Sequence, residues 1–523
     1  MKSKLVLVLQ YAAVAATLPI LGQTTNSDDL AWRKSVQKFD SQRKSLLDQV
    51  DREAHQGPFQ PTWESLKTYK IPTWYEDAKF GIFLHWGLYS VPGFDNEWYP
   101  RNMYVQGSKD FEHQVSTHGP QSKFGYKDFI PEFKAAKFDA HAWADLFRRA
   151  GAKYVVPVAE HHDGFAMYNS ELSDWTAAKM GPKRDVAGEL ATAVRQAGLH
   201  FGASSHRAEH YFFMNGGRAF DSDVKDPKYT SFYGPAHVGP TEKNKWDAHP
   251  DAAYLDDWLA RTTEIVTKYH PEVLWFDWWI NTKEFEPYLK RLAAFYYNDA
   301  AKNGYHAAIN YKYTAYPDGA AVLDIERGQL DAQRPLLWQT DTSISVKSWG
   351  FIDGDTFRSP ESLIQQLVDI VSKNGCLLLN VGPKPDGTIP EEAQKILLEM
   401  GRWLAKNGEA IYGTRPWTVY GEGPTKVKGG AFNDTATGGY TAQDIRFTKK
   451  GDTLYATALG WPQGGKLTIK SLGQGGTNSG IAIKNIKLLG SDSKVVWTRD
   501  GNGLHLQLPA KSGEYAYVLK ISG

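Results

Sequence analysis

The sharpest candidate for chemistry is a carboxylate set among aromatic residues. Asp277 follows the apolar run 273–276 and precedes Trp278 and Trp279. Burying a carboxylate in such surroundings costs free energy unless other groups stabilise it. A cap on a following helix or turn is the alternative role for this side chain. We predict that Asp277 is a catalytic nucleophile and that Trp279 contacts the substrate.

One reaction that uses a carboxylate nucleophile is glycoside hydrolysis, which also needs a second carboxylic acid, usually one with a raised pKa. Glu326 is the leading candidate because it lies just beyond a predicted strand, although a plain salt bridge with Arg327 is the alternative. In a retaining enzyme the two carboxyl groups lie about 5–5.5 Å apart. Competing candidates for the second acid are Glu97, Glu160, Asp324 and Asp341.

Histidines recur where predicted strands end. His161 and His162 are adjacent, and a metal-dependent hydrolase that uses both is one interpretation. Adjacent side chains on a strand point to opposite faces, however, and no His-x-His or His-Glu-x-x-His pattern accompanies them. Hydrogen bonds to substrate hydroxyls account for neutral imidazoles at least as well, and His85 could be a buried structural histidine. We therefore predict neither a metal nor another cofactor.

The elements that must position these residues are short apolar runs alternating with amphipathic segments. Runs that predict strands are 79–85, 154–160, 199–205, 273–277, 306–310, 321–325, 336–340 and 375–381. Segments that predict helices are 142–150, 186–197, 253–269, 285–302, 360–373 and 390–406. Alternation of this kind predicts a parallel sheet, and eight strands favour a (β/α)8-like barrel. Functional side chains of such barrels lie at the carboxyl ends of the strands.

The organisation outside the barrel follows from composition. Beyond residue 413 short apolar runs separated by Gly, Asn, Asp and Ser predict a β-sandwich. We expect a signal peptide over 1–22, a helical extension over 23–60, the catalytic barrel over 61–412 and the sandwich over 413–523. Residues 1–22 combine two lysines with an apolar run; a membrane anchor is the alternative, but the run is short and interrupted.

Charge and cysteine usage narrow the class of protein. With 60 basic and 59 acidic residues among 523, the chain has no basic excess to bind nucleic acid. Its one cysteine, Cys376, cannot form an internal disulfide, which suits a bacterial periplasmic or secreted protein that is stabilised by its core. We expect no membrane association after signal cleavage, and oligomerisation stays open.

Several long motifs occur in order over about two thirds of the chain. They are Phe80-Gly81-Ile82-Phe83-Leu84-His85-Trp86-Gly87, Glu97-Trp98-Tyr99, Glu160-His161-His162-Asp163-Gly164-Phe165, Lys373-Asn374-Gly375, Asn380-Val381-Gly382-Pro383 and the run 407–414. Together they resemble the α-L-fucosidases of glycoside hydrolase family twenty-nine. The resemblance implies a barrel followed by a sandwich, and retaining hydrolysis of terminal α-L-fucosides on glycans through a covalent glycosyl-enzyme.

The resemblance also implies roles for individual residues. Asp277 matches the family's nucleophile, while Glu326 is assigned as acid/base from order and context. Residues matched to substrate binding are His85, Glu97, Trp98, His161 and His162.

Two departures from the family pattern concern the sugar pocket. Segment 203–210 replaces the usual tyrosines, so that His206 could contact the sugar. Lys312 stands where many members carry Arg. Lysine would supply a single positive charge without the planar guanidinium group that can bind through two N–H donors at once. α-L-Galactosidase activity is therefore an alternative, because an apolar pocket rejects an added hydroxyl only modestly. A carbohydrate-binding protein without catalysis is a second alternative.

Overall fold

The computed structural model describes residues 27–238, 248–475, 482–511 and 513–523. The predicted signal peptide lies outside these residues. Within them, no helix is both long enough and apolar enough to cross a membrane.

Eight parallel strands close into a barrel in the order of the sequence. They are β1 Phe80–Leu84, β2 Tyr154–Glu160, β3 His200–Ser205, β4 Val273–Phe276, β5 Ala308–Tyr311, β6 Val322–Asp324, β7 Trp338–Ser343 and β8 Gly375–Val381. β8 pairs with β1, as Phe80 lies opposite Leu377, which completes the circle. Because both faces of a barrel strand are covered, β1, β2 and β8 are largely apolar without alternation, whereas β7 is fully buried but polar.

Helices surround the barrel and precede it. They are α1 Ser27–Val36, α2 Asp40–Glu53, α3 Trp63–Leu66, α4 Thr73–Ala78, α5 Tyr99–Asn102, α6 Lys109–Thr117, α7 Ala140–Arg149, α8 Val186–Gln196, α9 Thr230–Tyr233, α10 Ala252–Tyr269, α11 Glu286–Asn303, α12 Pro360–Ser372 and α13 Glu391–Asn407. Side-chain oxygens of Asp139, Asp185, Asp251 and Ser359 accept from backbone N–H groups at the starts of α7, α8, α10 and α12. These caps satisfy donors that have no partner inside the helix.

The C-terminal strands form two antiparallel sheets. They are β9 Arg415–Glu422, β10 Ile445–Lys450, β11 Thr453–Ala458, β12 Lys466–Ile469, β13 Asn485–Leu488, β14 Val496–Asp500, β15 Gly503–Gln507 and β16 Tyr517–Ser522. One sheet has the order β13-β16-β11-β10-β9 and the other β12-β15-β14. Apolar residues of both sheets, such as Phe447 and Leu506, share one core. The predicted fold class, a (β/α)8-like barrel followed by a β-sandwich, is confirmed.

The N-terminal helices are attached to the barrel by buried charge. Arg43 of α2 donates to Asp257 of α10 at 3.1 and 3.0 Å. Asp257 also accepts from Arg207, which donates to Glu160 at the end of β2. A buried ion pair of this kind is costly to break on one side only. The network therefore fixes the outer wall of the barrel directly behind the candidate site.

Candidate active site

A cavity of about 480 Å³ opens at the carboxyl ends of the barrel strands. Its volume is typical of a small-molecule site. The residues that line it are His85, Asn96, Glu97, Trp98, Asn102, His161, His162, Trp275, Asp277, Trp278, Lys312, Tyr313, Glu326, Arg327, Asp341, Lys347, Trp349 and Phe432. The structure thus brings together eight of the ten residues that the sequence proposes for the site.

Asp277, directly after β4, is held by three cationic or imidazole groups. Its Oδ1 accepts from Lys312 Nζ at 2.9 Å, while Oδ2 lies 3.0 Å from His206 Nδ1 and 3.4 Å from His162 Nε2. Burial disfavours the anion, but these neighbours outweigh it and keep the pKa of Asp277 well below its usual value. The carboxylate is therefore ionised, as a nucleophile must be.

Lys312 joins the two proposed catalytic carboxyls. Its Nζ lies 2.9 Å from Oδ1 of Asp277 and 2.6 Å from Oε2 of Glu326, so these two oxygens are separated by no more than the sum of the distances. That limit agrees with the spacing of about 5–5.5 Å in retaining glycosidases and is shorter than the spacing in inverting ones.

Glu326 has the electrostatic setting expected of a general acid. Burial raises its pKa above the usual value; the Lys312 ammonium lowers it, and the charge of Asp277 adds to the rise. The alternative of a salt bridge with Arg327 does not describe this site, since Glu326 pairs with Lys312. Arg327 donates instead to the carbonyls of Ser345 and Ser348 and lies over the Trp349 ring.

Three of the four histidines at the site are neutral. Burial holds the pKa of His85 and His161 well below its usual value and lowers that of His206 to about 4. His85 Nδ1 lies 2.8 Å from Oδ1 of Asn380, which fixes its ring. His161 Nδ1 is buried and has no hydrogen-bond partner among the described residues. A neutral imidazole with one nitrogen left over can bind a sugar hydroxyl.

His162 differs because it faces two carboxylates. Burial opposes its protonation, but Glu209 and Asp277 outweigh it and raise the pKa of His162 to about 10. Oε2 of the fully buried Glu209 lies 3.2 Å from Nδ1, opposite the contact with Asp277. Glu209, whose own pKa burial raises to about 7, thus favours the protonated imidazole beside the nucleophile, while the carbonyl of His206 lies 3.2 Å from His162 Nδ1 and helps to orient the ring. Glu209 was not among the predicted site residues, and its place in the divergent segment 203–210 is the one sequence signal that could have pointed to it.

Two predicted binding residues lie outside the cavity lining. His206 lies behind Asp277 and also contacts Ser204 Oγ at 3.0 Å. Trp279 is 3% exposed and packs against Phe212, with ring centroids 4.7 Å apart. Its backbone has a φ of 72°, a left-handed turn after the strand, and Trp278 lines the cavity instead.

Glu97 and Trp98 both line the cavity, on the loop that follows β1. Glu97 Oε2 accepts from the backbone N–H of Trp349 at 2.8 Å, which ties that loop to the loop after β7. The Trp98 ring meets His162 edge-on with centroids 5.4 Å apart. Both contacts fix the walls around the histidine cluster.

The other acidic candidates have different surroundings. Glu160 is 1% exposed and pairs with Arg207 and Arg261 behind the site. Asp324 accepts from the indole of Trp275 at 3.1 Å. Asp341 does line the cavity, but its side chain is 1% exposed against 17% for Glu326. Glu326 is therefore the better placed to reach a leaving-group oxygen.

The histidine cluster has the spacing of a possible metal site. One nitrogen each of His85, His161 and His206 lie within 4.8 Å of one another. His85 and His206 already use ring nitrogens in contacts with Asn380, Ser204 and Asp277. These contacts favour imidazoles that the protein itself orients over imidazoles that bind a metal. Activity measured with and without a chelator tests this.

Two substitutions of Lys312 distinguish the effect of its charge from the effect of its shape. We expect Lys312→Gln to lower kcat about 10²- to 10³-fold, as loss of a preorganised donor does. Asp277 must be ionised, so activity falls as pH drops through its pKa; without the ammonium that pKa rises, and the acidic limb of the pH–rate profile moves to higher pH. Lys312→Arg keeps the charge and should leave the limb in place. An acidic limb that does not move in Lys312→Gln would contradict this role.

Comparison with known proteins agrees with the site. The α-L-fucosidase family model matches residues 46–409, and the model of the α-L-fucosidase C-terminal domain matches 433–522. The plasma alpha-L-fucosidase of Homo sapiens is 32% identical over 469 residues, which cover 86% of this chain and 88% of the human protein. The alpha-L-fucosidase of Branchiostoma floridae is 31% identical over 493 residues, 89% of this chain and 96% of that protein.

A solved structure agrees over the same length. The crystal structure of Thermotoga maritima alpha-fucosidase with a mechanism-based inhibitor matches with a TM-score of 0.71 and 32% identity, covering 89% of this chain and 100% of that one. The resemblance inferred from the sequence motifs is confirmed. The chain therefore belongs to the α-L-fucosidase family.

Proposed function

We propose that this protein is an exo-glycosidase that hydrolyses terminal α-L-fucosides on glycans with retention of configuration. The observation that carries the proposal is the pair Asp277 and Glu326, bridged by Lys312 inside the cavity. A binding protein without catalysis would have no need of an ionised carboxylate beside a second one with raised pKa. Family membership supports fucose as the sugar.

In the first step Asp277 attacks the anomeric carbon on the face opposite the leaving oxygen. Its carboxylate oxygen forms the new C–O bond as the glycosidic C–O bond breaks, and Glu326 donates its proton to the departing oxygen. The product is a β-L-fucosyl ester on Asp277. In the second step Glu326 takes a proton from water, whose oxygen attacks the same carbon, releasing α-L-fucose and the Asp277 carboxylate.

Charge around Lys312 explains how Glu326 changes roles. In the free enzyme the negative charge of Asp277 contributes to the raised pKa of Glu326. Esterification removes that charge, while the ammonium 2.6 Å from Glu326 remains. The pKa of Glu326 therefore falls once the ester forms, so that an acid in the first step becomes a base in the second.

The test is a comparison of aryl glycosides of α-L-fucose, α-L-galactose and β-L-galactose. We expect the highest kcat/KM for the α-L-fucoside and the same rates in excess chelator, because every catalytic group named above is an amino-acid side chain. Binding of L-fucose without turnover of any substrate would support a non-catalytic protein. A preference for the α-L-galactoside would overturn the assigned sugar, and activity lost with chelator and restored by a divalent metal would overturn the metal-free mechanism.

We further propose that residues 1–22 direct export and are removed. The support is the basic start, the apolar run and the polar stretch after Gly22. Mass spectrometry of the protein from a cell fraction outside the cytoplasm should find a chain that begins near Gln23. An intact Met1 in a membrane fraction would show an anchor instead.

A further inference from the structure

The loop between β9 and β10, residues 423–444, leaves the C-terminal domain and reaches the mouth of the cavity. It is fixed to the barrel by backbone hydrogen bonds. Gly430 and Gln329 exchange N–H···O bonds at 2.8 and 3.4 Å, and Phe432 N–H donates to the carbonyl of Glu326 at 2.9 Å. The loop is therefore attached to the backbone of the proposed acid/base itself.

Buried charge anchors the same loop further along. Asp434 N–H donates to the carbonyl of Arg327 at 2.9 Å. The Asp434 carboxylate pairs with Arg358 at 3.0 Å and accepts from the hydroxyl of Thr342 on β7. The two ion-paired side chains are 4% and 3% exposed, so this attachment is well shielded from water. Phe432 is thus carried on a rigid support.

Two large aromatic side chains stand open to solvent beside this attachment. Phe432 is 61% exposed and Tyr313 is 51% exposed, and both line the cavity. Their backbones adopt positive φ values of 56° and 57°, which cost energy in residues other than glycine. An exposed aromatic side chain on a strained backbone contributes little to the stability of the fold, which suggests a role in binding. Such residues are the usual means of stacking on the apolar face of a sugar ring.

The position of Glu326 fixes which part of a substrate these rings would meet. Glu326 must reach the glycosidic oxygen, so the leaving group lies on its side of the cavity. Phe432 bonds to the backbone of Glu326, and Tyr313 follows Lys312, whose Nζ contacts the Glu326 carboxyl. Lys347 and Asn102 also line the cavity and offer hydrogen bonds to hydroxyl groups.

We propose that Phe432, Tyr313 and the loop 423–444 form a binding subsite for the leaving-group sugar, a pyranose ring attached through the fucosidic oxygen. The subsite rests on the proposed fucosidase function. It gives the C-terminal domain a direct part in substrate choice, because that domain supplies Phe432. Fucosides with a sugar leaving group then bind through two rings, while those with a single-atom leaving group bind through one.

The experiment compares an α-L-fucosyl disaccharide with α-L-fucosyl fluoride, whose leaving group cannot stack. Phe432→Ala keeps the backbone bond to Glu326, and we expect it to lower the ratio of kcat/KM for disaccharide over fluoride about 3- to 10-fold. Tyr313→Ala should act in the same direction, and Phe432→Trp should restore the ratio. Val496→Ala is the matched control, since Val496 is 60% exposed on β14 and does not line the cavity.

The outcomes separate the subsite from the function. An unchanged ratio in Phe432→Ala and Tyr313→Ala would overturn the subsite, whether or not both rates fall together. A wild-type protein that hydrolyses neither substrate would overturn the proposed function instead. Thermal unfolding of each variant shows whether the protein has stayed folded, and hydrogen exchange of residues 423–444 shows whether the loop has kept its hydrogen bonds.

Discussion

Replacement of Asp277 by glycine is expected to lower kcat on an aryl α-L-fucoside about 10⁴- to 10⁶-fold, the range seen when a catalytic nucleophile is removed. The reason is geometric and electrostatic. Among the carboxylates in the part of the chain that the structure describes, Asp277 alone contacts Lys312, His162 and His206 together, and its pKa is held low by them. The measurement is steady-state hydrolysis by the purified variant, with folding checked by thermal unfolding.

Azide gives this variant a distinctive product. Glycine leaves space where the carboxylate was, and an azide ion there attacks the anomeric carbon with a single inversion. The product from an α-L-fucosyl substrate with a good leaving group is therefore β-L-fucosyl azide. Near-normal hydrolysis by Asp277→Gly would show that another group is the nucleophile.

Replacement of Glu326 by glycine is expected to lower activity severely only on substrates whose leaving group must be protonated. We predict a fall of about 10²- to 10⁴-fold for a fucosyl disaccharide, which is the usual contribution of a general acid. For an aryl fucoside with a good leaving group the first step needs little protonation, so the ester on Asp277 should form and then accumulate. Pre-steady-state kinetics should show a burst of the aryl alcohol.

Azide distinguishes the two variants through stereochemistry. In Glu326→Gly it attacks the β-linked ester and gives α-L-fucosyl azide, the opposite anomer from the Asp277 variant. Asp341→Asn is the matched comparison, because Asp341 lies 3.7 Å from the same ammonium and has a pKa raised well above the usual value by burial and Asp324. If Asp341→Asn showed the burst and the azide product while Glu326→Gly did not, the acid/base would be Asp341.

The pH–rate profile of Glu326→Gly is also expected to lose its basic limb. The acid must be protonated, and a raised pKa keeps activity up to higher pH than an ordinary glutamic acid would allow. In the wild type, activity falls as pH rises through that pKa. Hydrolysis of an activated aryl fucoside by the variant should show no such fall.

The barrel was predictable because its strands are local signals. Runs such as 154–160 and 375–381 are continuous and apolar, and their observed bounds are the same as the predicted ones. Asp277 and Glu326 follow β4 and β6, and barrel geometry brings such ends together whatever lies between. In contrast, β9 and β10 carry weak local signals. β9 is mostly half-buried and β10 ends in exposed residues, so neither shows a clear alternation.

The details of the cavity depend on contacts that sequence order does not reveal. The choice between Trp278 and Trp279 is made by the left-handed backbone at Trp279, since a regular strand gives no such turn. Glu209 acts because it lies close to His162 in the folded protein, and the positions of the two residues along the chain do not reveal that contact. Phe432 lies 106 positions beyond Glu326 in a segment without periodicity, and the hydrogen bonds and the ion pair that attach its loop to the barrel place it at the cavity.

The central claim is that Asp277 carries the fucosyl group as a covalent ester. A fluorine at C2 of an activated fucosyl fluoride slows both steps, but the good leaving group lets the ester form and persist. Digestion of the protein after such treatment, followed by mass spectrometry, locates the added mass. We expect one 2-deoxy-2-fluorofucosyl group, on the peptide that contains Asp277 and on that residue. A label on any other carboxylate, with Asp277 unmodified, would contradict it.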